Sequence, residues 1–277
     1  MTCWQTLPFR INPYLIEFNG FGIRYYSLMY LVAFIMVYLV IKFRLSRESF
    51  PYDISTIQEF FTWAAFGVIL GGRLGYVLIY NFSFYVSRPW EIFLPFDFSN
   101  GIRFVGITGM SFHGGLLGVA LVFVIFCKKK KINIWSFSDL ICPVIPLGYT
   151  FGRLGNFLNG ELYGRPTSLP WGMIFPQDPA QTLRHPSQLY EACFEGLCLF
   201  FILMAMRKTP WAKNKMAGFY LIGYGVIRFC IEFVRQPDAH LSPLPWGMTM
   251  GQILCSLMVI AGTSLISYPR SSTKKSP

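Results

Sequence analysis

Long apolar runs separated by short polar segments form the basic pattern of this chain. Seven of the runs approach the ~20 residues that a helix needs to cross the hydrocarbon of a bilayer. The third run is the shortest, and Pro143 and Pro146 predict a kink in the fourth. The predicted transmembrane spans are residues 22–42, 58–80, 111–127, 137–157, 187–206, 217–235 and 247–267.

Composition supports the same class of protein. The chain has 277 residues, of which 53% are hydrophobic and 13% charged, whereas soluble domains carry about 25% charged residues. We therefore predict an all-α integral membrane protein, with residues 1–277 forming a single polytopic membrane domain. Residues 81–110 are rich in Phe, Pro and Trp and predict interfacial arms. Residues 158–186 predict a small extracytoplasmic cap.

The net charge of +11 could indicate nucleic-acid binding, but its placement argues against that partner. Basic clusters follow spans one, three, five and seven, as topology signals do. Placing them inside puts the N-terminus outside and the C-terminus in the cytoplasm. All the lysines then lie on the cytoplasmic side, and the basic residues assigned to the outer half are arginines. Because the guanidinium fork matches oxyanions, some of these arginines indicate an anion site near the outer leaflet.

The strongest chemical signal is a glycine-punctuated polar segment at residues 152–164. It contains Arg153, Asn156, Glu161 and Gly164. Ionisable groups at membrane depth are costly, so they indicate function by default. The glycines permit close approach of backbones and ligands. The anion most available inside a membrane is a lipid phosphate.

Helical spacing collects further polar residues onto faces of three spans. Arg228 and Glu232 form an i,i+4 pair, which is also explained by a structural ion pair between helices. The outer arginines Arg10, Arg88 and Arg103 fit simple snorkelling to head groups. The three stripes are Tyr224, Arg228, Glu232 and Arg235 in span six; Tyr149, Arg153, Asn156 and Gly160 in span four; and Arg73, Tyr76 and Tyr80 in span two.

His113 lies near the outer end of span three and is the available base, since histidine exchanges protons near neutral pH. A lone histidine is more often a hydrogen-bonded structural residue. In span five, Gln188, Glu191 and Glu195 share a face that we interpret mainly as support for the site. No Ser-based nucleophile motif of the form GxSxG is present. The site therefore either binds a lipid for movement or sensing, or holds its phosphate as a leaving group for a nucleophile from a second substrate.

Six sequence blocks, in order along nearly the whole chain, resemble those of a known protein family. They are residues 25–30, 71–76, 111–115, 152–164, 185–191 and 223–238. With these blocks the chain closely resembles the prolipoprotein diacylglyceryl transferases of bacterial inner membranes. Ser27 stands where family members commonly carry glycine, a difference that bears only on local packing. The cap between Gly164 and His185 is short for this family, which bears on peptide recognition and not on the chemistry.

The resemblance implies transfer of a diacylglyceryl group from phosphatidylglycerol to the lipobox cysteine of a prolipoprotein signal peptide, releasing glycerol phosphate. It implies no metal or organic cofactor and no nucleic acid. Arg153 and Arg228 are implied to contact the phosphate, and His113 to act as base or to orient the lipid. The substrate-binding set is Tyr26, Arg73, Tyr76, Tyr80, Asn156, Glu161, Gly164, Tyr224, Glu232 and Arg235. Glu161 and Glu232 are expected to hold arginines in place. The alternative is a non-catalytic phospholipid-binding or lipid-moving membrane protein.

Overall fold

The computed structural model describes residues 3–18, 21–94, 96–97, 103–104, 109–236 and 247–268. Helices dominate it, as predicted for an all-α membrane protein. The helices are α1 (Leu7–Arg10), α2 (Tyr25–Arg47), α3 (Ile54–Tyr80), α4 (Phe82–Ser87), α5 (Phe112–Lys129), α6 (Ile134–Ile141), α7 (Ile145–Leu158), α8 (Ser187–Tyr190), α9 (Leu199–Met206), α10 (Met216–Ile231) and α11 (Met250–Ser267). The short strands are β1 (Tyr14–Phe18), β2 (Phe21–Arg24), β3 (Phe96–Asp97) and β4 (Arg103–Phe104).

Six segments within the described residues are helices long and apolar enough to cross a membrane. They are Tyr25–Arg47, Ile54–Tyr80, Phe112–Lys129, Ile134–Leu158, Ser187–Met206 and Met250–Ser267. The shorter apolar helix α10 takes the place of the predicted sixth span. Outward side chains such as Leu78, 61% exposed, and Leu117, 68% exposed, suit lipid far better than water. The predicted interruption of the fourth span is confirmed as a 3₁₀ turn at Cys142–Val144.

The chain divides into two compact units, one of Met1–Glu48 with Ser138–Pro277 and one of Ser49–Phe137. In the second unit, α3 and α5 pack through facing glycines. A Cβ atom added to Gly71 or Gly114 would collide with the backbone of the other helix, and one on Gly118 would collide with the carbonyl of Gly67. Glycines at four-residue spacing, at 67, 71 and 75 and again at 114 and 118, are typical of close helix packing in membranes, because they let two backbones approach closely.

Within the first unit, α2 packs against α7 where Gly155 meets Tyr26 and Met29. Helices α10 and α11 form a second close pair, in which Gly218 faces the carbonyl of Gly262. Both pairs follow the small-residue rule for helix association in membranes. They place span one beside span four, and span six beside span seven, within this unit.

One end of this unit is held by a buried basic residue. Arg44, only 1% exposed, donates hydrogen bonds to Glu48 and to the carbonyls of Asp139 and Leu140. Glu48 also pairs with Arg207 at 2.8 Å. Arg44 belongs to the basic cluster that follows span one, which the sequence predicts to be a topology signal. In the structure it also ties three chain segments together.

The fifth span is not a regular α-helix. Residues Glu191–Cys198 form a π-helix between α8 and α9. Gly196 in this segment packs directly against Thr150 of α7, where any side chain would clash. Because π-helical segments are rare and concentrate at functional sites, this region marks the centre of interest.

The predicted arms and cap take short, irregular structure. β1 and β2 form an antiparallel hairpin before the first span. In the arm at 81–110, α4 and a 3₁₀ turn at Pro89–Ile92 precede a two-residue pairing of β3 with β4; residues 95, 98–102 and 105–108 lie outside the described residues. The cap packs Met173 and Phe175 onto Phe157.

Candidate functional site: a buried arginine–glutamate cluster

Three arginines from three segments of the first unit surround one buried carboxylate. Glu191 lies 2.9 Å from the Nε of Arg153, 3.1 Å from the Nη1 of Arg228 and 3.6 Å from the Nε of Arg235. The Glu191 side chain has 0% exposure. A buried carboxylate is stable only when cations or donors satisfy it, so these arginines and Glu191 fix one another.

The arginine and glutamate side chains of the cluster differ in their solvent exposure. The side chains of Arg153, Arg228 and Arg235 keep 17%, 12% and 13% exposure, whereas Glu191 keeps 0%. Glu195, one turn further along the π-helix, is also fully buried. The arginine side chains are thus the more accessible part of the cluster, and the carboxylates of Glu191 and Glu195 are its fully buried part. Cationic side chains of this kind favour an anionic ligand.

Arg228 is held by carboxylates from two helical segments. Its Nη2 lies 3.1 Å from Glu232, and its Nη1 lies 3.6 Å from Glu195 as well as near Glu191. The predicted pair of Arg228 with Glu232 is therefore confirmed. Glu232 in turn accepts a 3.1 Å hydrogen bond from Thr249, the residue that caps α11.

Two tyrosines line the same cluster. The hydroxyl of Tyr149 lies 2.5 Å from Glu195 and 3.2 Å from Glu191. The guanidinium of Arg153 lies over the Tyr149 ring, 4.7 Å from its centroid, and Tyr224 meets that ring edge-on at 5.6 Å. Stacking and hydrogen bonding together limit the freedom of Arg153.

The signature segment at 152–164 forms a hydrogen-bonded relay at the end of α7. Arg153 donates to the Asn156 side chain at 3.1 Å, and Asn156 donates to Glu161 at 2.7 Å. Glu161 also accepts from Asn159 at 2.9 Å. The expectation that Glu161 holds an arginine is therefore corrected: its carboxylate orients Asn156, and Asn156 contacts Arg153.

Gly164 occupies a crowded position between two strands of chain. Its N–H donates to the His185 carbonyl at 2.8 Å, and it forms a β-bridge with Arg235. A Cβ atom there would lie 2.5 Å from the Val234 carbonyl and 2.8 Å from the His185 Cβ. Only glycine fits, so Gly164 sets the position of the Arg235 backbone.

Tyr26 packs beside this relay. The backbone and ring of Tyr26 approach Gly155, where an added Cβ atom would meet both at about 3.3–3.4 Å. The Tyr26 hydroxyl lies 3.1 Å from the hydroxyl of Tyr30. Because Gly155 has no side chain, Tyr26 packs closely against α7 at this point.

The remaining predicted site residues belong to the second unit. Arg73 is 5% exposed, and its guanidinium donates to the carbonyls of Ile92 at 2.5 Å, Glu91 at 2.7 Å and Gly109 at 3.3 Å. These bonds hold the arm onto α3, a role that the sequence pattern did not indicate. Tyr76 and Tyr80 stack with centroids 5.9 Å apart. His113 is exposed at the start of α5, with its ring edge-on to Phe112 at 5.7 Å.

Glu191 is the residue that sequence reasoning undervalued. It was placed on a supporting face with Gln188 and Glu195, yet it is the shared partner of three arginines. One sequence signal pointed to Glu191. Spans four and six together carry more arginines than acidic residues, so a carboxylate from another span is needed to balance these intramembrane charges. Among the described residues, no group of three or more His, Cys, Asp or Glu side chains is arranged to hold a metal ion.

An ion pair inside the cap organises the loop between the fourth and fifth spans. Asp178, 1% exposed, accepts two hydrogen bonds of 2.8 Å from the Arg184 guanidinium. These hydrogen bonds, together with backbone N–H groups of Ala180 and Thr182, hold the pKa of Asp178 below its ordinary value.

We expect Asp178→Asn to destabilise the cap by roughly 2–3 kcal/mol, because Arg184 loses a charged, bidentate partner. A lowered folded-state pKa stabilises the protein above the ordinary pKa of about 3.9, and this contribution disappears as pH falls through the folded value. Thermal unfolding of the detergent-solubilised protein from pH 7 to pH 3 should therefore show an acid loss that is smaller in Asp178→Asn. Glu17→Gln, at an exposed carboxylate, is the matched control and should behave like the parent.

Comparison with known proteins agrees with the resemblance that the six sequence blocks carry. The family model described as prolipoprotein diacylglyceryl transferase matches residues 13–268. A phosphatidylglycerol–prolipoprotein diacylglyceryl transferase of Chlorobaculum tepidum is 49% identical over 97% of this chain and 93% of its own length. Proteins of the same name from Campylobacter hominis and Bordetella avium are each 42% identical, over 95% and 97% of this chain and over 93% and 98% of their own lengths.

Proposed function

The chain belongs to the prolipoprotein diacylglyceryl transferase family, and on that premise we propose how its arginine cluster serves the transfer of a diacylglyceryl group from phosphatidylglycerol to a prolipoprotein. The protein is a membrane-embedded transferase with about seven apolar helices. The observation that carries the proposal is the cluster itself: partly exposed arginine side chains converge on a fully buried carboxylate. That arrangement suits a lipid phosphodiester.

In the proposed reaction, the thiolate sulfur of the lipobox cysteine attacks the glycerol CH₂ carbon that carries the phosphate. A carbon–sulfur bond forms, and the carbon–oxygen bond to phosphate breaks with its electron pair leaving on the phosphate oxygen. The products are a thioether-linked lipid and glycerol phosphate. Charge grows on the leaving phosphate in the transition state, so pre-positioned donors there lower the barrier.

We assign the phosphate contacts to Arg153 and Arg228. Glu191 fixes both guanidinium groups, so they need little rearrangement when charge develops. Asn156 is oriented by Glu161, and we assign Asn156 and Tyr26 to positioning the head group. Arg235, Tyr224 and Glu232 complete the surroundings of Arg228.

The thiol of cysteine has an ordinary pKa of about 8.5, so the nucleophile needs help to lose its proton near neutral pH. His113 is the proposed base, since an imidazole accepts a proton in that range. The competing assignment is that His113 only orients the lipid. These two roles predict different pH profiles.

We further propose that residues 1–277 form one polytopic domain of the bacterial inner membrane, with the N-terminus outside, the C-terminus in the cytoplasm and the arginine cluster toward the outer leaflet. The segregation of lysine and arginine along the sequence supports this orientation. The alternative of a non-catalytic lipid-binding or lipid-moving protein is not favoured, because the relatives are named as transferases.

The test uses purified protein, phosphatidylglycerol and a synthetic lipobox peptide, with lipidated peptide quantified by mass spectrometry. The parent protein is expected to add a diacylglyceryl group to the cysteine. If His113 is the base, His113→Ala should lower the rate about 10²-fold or more at pH 7 and recover part of it at higher pH, where the thiol ionises unaided.

Phe112→Ala is the matched control, because it alters the same exposed helix start without removing a titratable group. It should stay within a few-fold of the parent. A His113→Ala variant with parental rate at pH 7 would remove His113 as the base. A folded parent protein that binds phosphatidylglycerol and yields no lipidated peptide would contradict the proposed transfer itself.

A further inference from the structure

A cleft of about 470 Å³ opens in the Ser49–Phe137 unit, where α3 begins and α5 ends. It lies at the opposite end of α5 from His113. None of the residues assigned above to the transfer reaction lines it. The lining residues are Pro51, Tyr52, Thr56, Lys130, Lys131, Ile132, Asn133 and Ser136.

The lining combines cations with hydroxyl groups. Lys130 forms an ion pair with Glu59 at 2.5 Å, but an ammonium has three donors, so the remaining two can serve a ligand. Lys131 pairs with no carboxylate among the described residues. Ser136 adds a hydroxyl donor from the first turn of α6, whereas the Thr56 hydroxyl, which also lines the cleft, already donates to Asp53. This donor set matches phosphate oxygens.

The acidic residue beside the cleft is already engaged. Asp53 caps α3 and accepts hydrogen bonds from the hydroxyl and backbone N–H of Thr56. These bonds, with one from Ser55, lower the pKa of Asp53 to about 2. The Asp53 carboxylate is therefore occupied by hydrogen bonds at the start of α3, and Asp53 does not line the cleft.

Lys131 adopts a backbone conformation that glycine would adopt more easily. Its φ is +56°, and the N–H of Ile132 bonds back to the carbonyl of Cys127 while that of Lys131 bonds to Lys128. This is the helix ending in which a left-handed residue, usually glycine, follows the helix. A lysine at this position is strained, and strain retained at a cleft indicates function.

The two helices that bound the cleft both qualify as membrane spans, so we expect the cleft, at their ends, to lie at the depth of lipid head groups. Lys129 lies over the ring of Trp63, 4.9 Å from its centroid, and tryptophans favour the membrane–water boundary. A run of four lysines at a membrane boundary satisfies topology without any cavity. The cavity, its hydroxyl groups and the strained Lys131 are additional to what topology requires.

We propose that this cleft binds a phosphate group at the membrane surface, supplied either by the head group of an anionic lipid or by free phosphate. Lys130 and Lys131 supply charge and hydrogen-bond donors, and Ser136 supplies a further hydroxyl donor. The site is separate from the arginine cluster and does not depend on the transfer reaction.

The experiment titrates the full-length protein, in a nonionic detergent, with phosphatidic acid and follows bound lipid by native mass spectrometry. Phosphatidylcholine with the same acyl chains is the zwitterionic reference. The double variant Lys130→Gln/Lys131→Gln is compared with Lys128→Gln/Lys129→Gln, which removes the same charge from the same run but lies outside the cleft lining. We expect the first variant to bind one fewer phosphatidic acid, with that site weakened roughly 10–30-fold, and the second to bind like the parent.

Equal losses in both double variants would show general charge attraction and overturn the proposal, as would no loss in either. Lys131→Gly separates binding from folding: it should weaken binding while the melting temperature stays equal or rises, since glycine relieves the positive φ. Inorganic phosphate at millimolar concentration distinguishes the sources. Displacement of the lipid by phosphate indicates a soluble ligand, and retention of the lipid indicates a head-group site.

Discussion

Replacing Arg228 by lysine is expected to abolish most transferase activity, by about 10²–10³-fold in kcat, in a protein that still folds. Removal of a single pre-positioned donor from a developing oxyanion has effects of this size. Arg228 contacts Glu191 and Glu195 through Nη1 and Glu232 through Nη2. A lysine ammonium is a compact point charge on a flexible stem, so it cannot hold these carboxylates and a phosphate in one planar arrangement.

The measurement is kcat and KM for peptide lipidation, together with the melting temperature in detergent. Arg10→Lys is the matched control, because Arg10 is exposed and lies outside the cluster; it should retain parental activity. An active, folded Arg228→Lys would instead support the simple reading of Arg228 and Glu232 as a structural ion pair between helices.

The sequence predicted the apolar helices well, because runs of about 20 apolar residues are a strong signal of membrane spans; six qualify as spans, and the predicted sixth span is the shorter helix α10. The sequence also identified Arg153, Arg228, Glu232 and Arg235, since intramembrane charges are rare and few explanations exist for them. The four-residue spacing of Gly67, Gly71 and Gly75 likewise indicates a packing face, since small residues at that spacing have one common use in membrane helices.

The sequence could not distinguish Arg73 from Arg228. Both are arginines within helical polar stripes, and both were assigned to substrate binding. Their roles differ through distant partners: Arg73 meets carbonyls of Glu91, Ile92 and Gly109, whereas Arg228 meets carboxylates. Backbone carbonyls carry no residue-type signal, so no pattern along the chain reports them.

The π-helix at Glu191–Cys198 was also beyond prediction, because its backbone depends on close packing against another span. Thr150 of α7 meets Gly196 directly and lies 3.4 Å from the carbonyl of Ala192. Helical periodicity correctly placed Glu191 and Glu195 on one face. It did not show that this face receives arginines from other segments, which is a property of the tertiary fold.

Glu191→Gln is expected to lower kcat by about 10²-fold or more while KM for phosphatidylglycerol stays equal or falls. Glutamine keeps the shape of the side chain but removes the charge that Arg153, Arg228 and Arg235 share. With one buried negative charge fewer, the pocket attracts an anionic head group at least as well as before. The guanidinium groups are no longer fixed, however, and stabilisation of the leaving phosphate depends on their pre-positioning.

The split between kcat and KM distinguishes this positioning role from a purely structural one. Removing one partner of a buried ion pair also destabilises the fold by about 3–5 kcal/mol, so rates are taken per folded molecule after thermal unfolding is measured for each variant. A purely structural Glu191 would lower the melting temperature and leave kcat per folded molecule within a few-fold of the parent.

Two further variants, Glu195→Gln and Glu191→Asp, test whether the effect is specific to Glu191. Glu195→Gln removes an equally buried carboxylate that approaches only one arginine of the three, Arg228 at 3.6 Å, so its effect on kcat should be smaller by about tenfold. Glu191→Asp restores the charge one methylene further from the guanidinium groups and should recover part of the rate. Equal losses in Glu191→Gln and Glu195→Gln would mean that total negative charge, and not the shared contact with three arginines, is what the cluster requires.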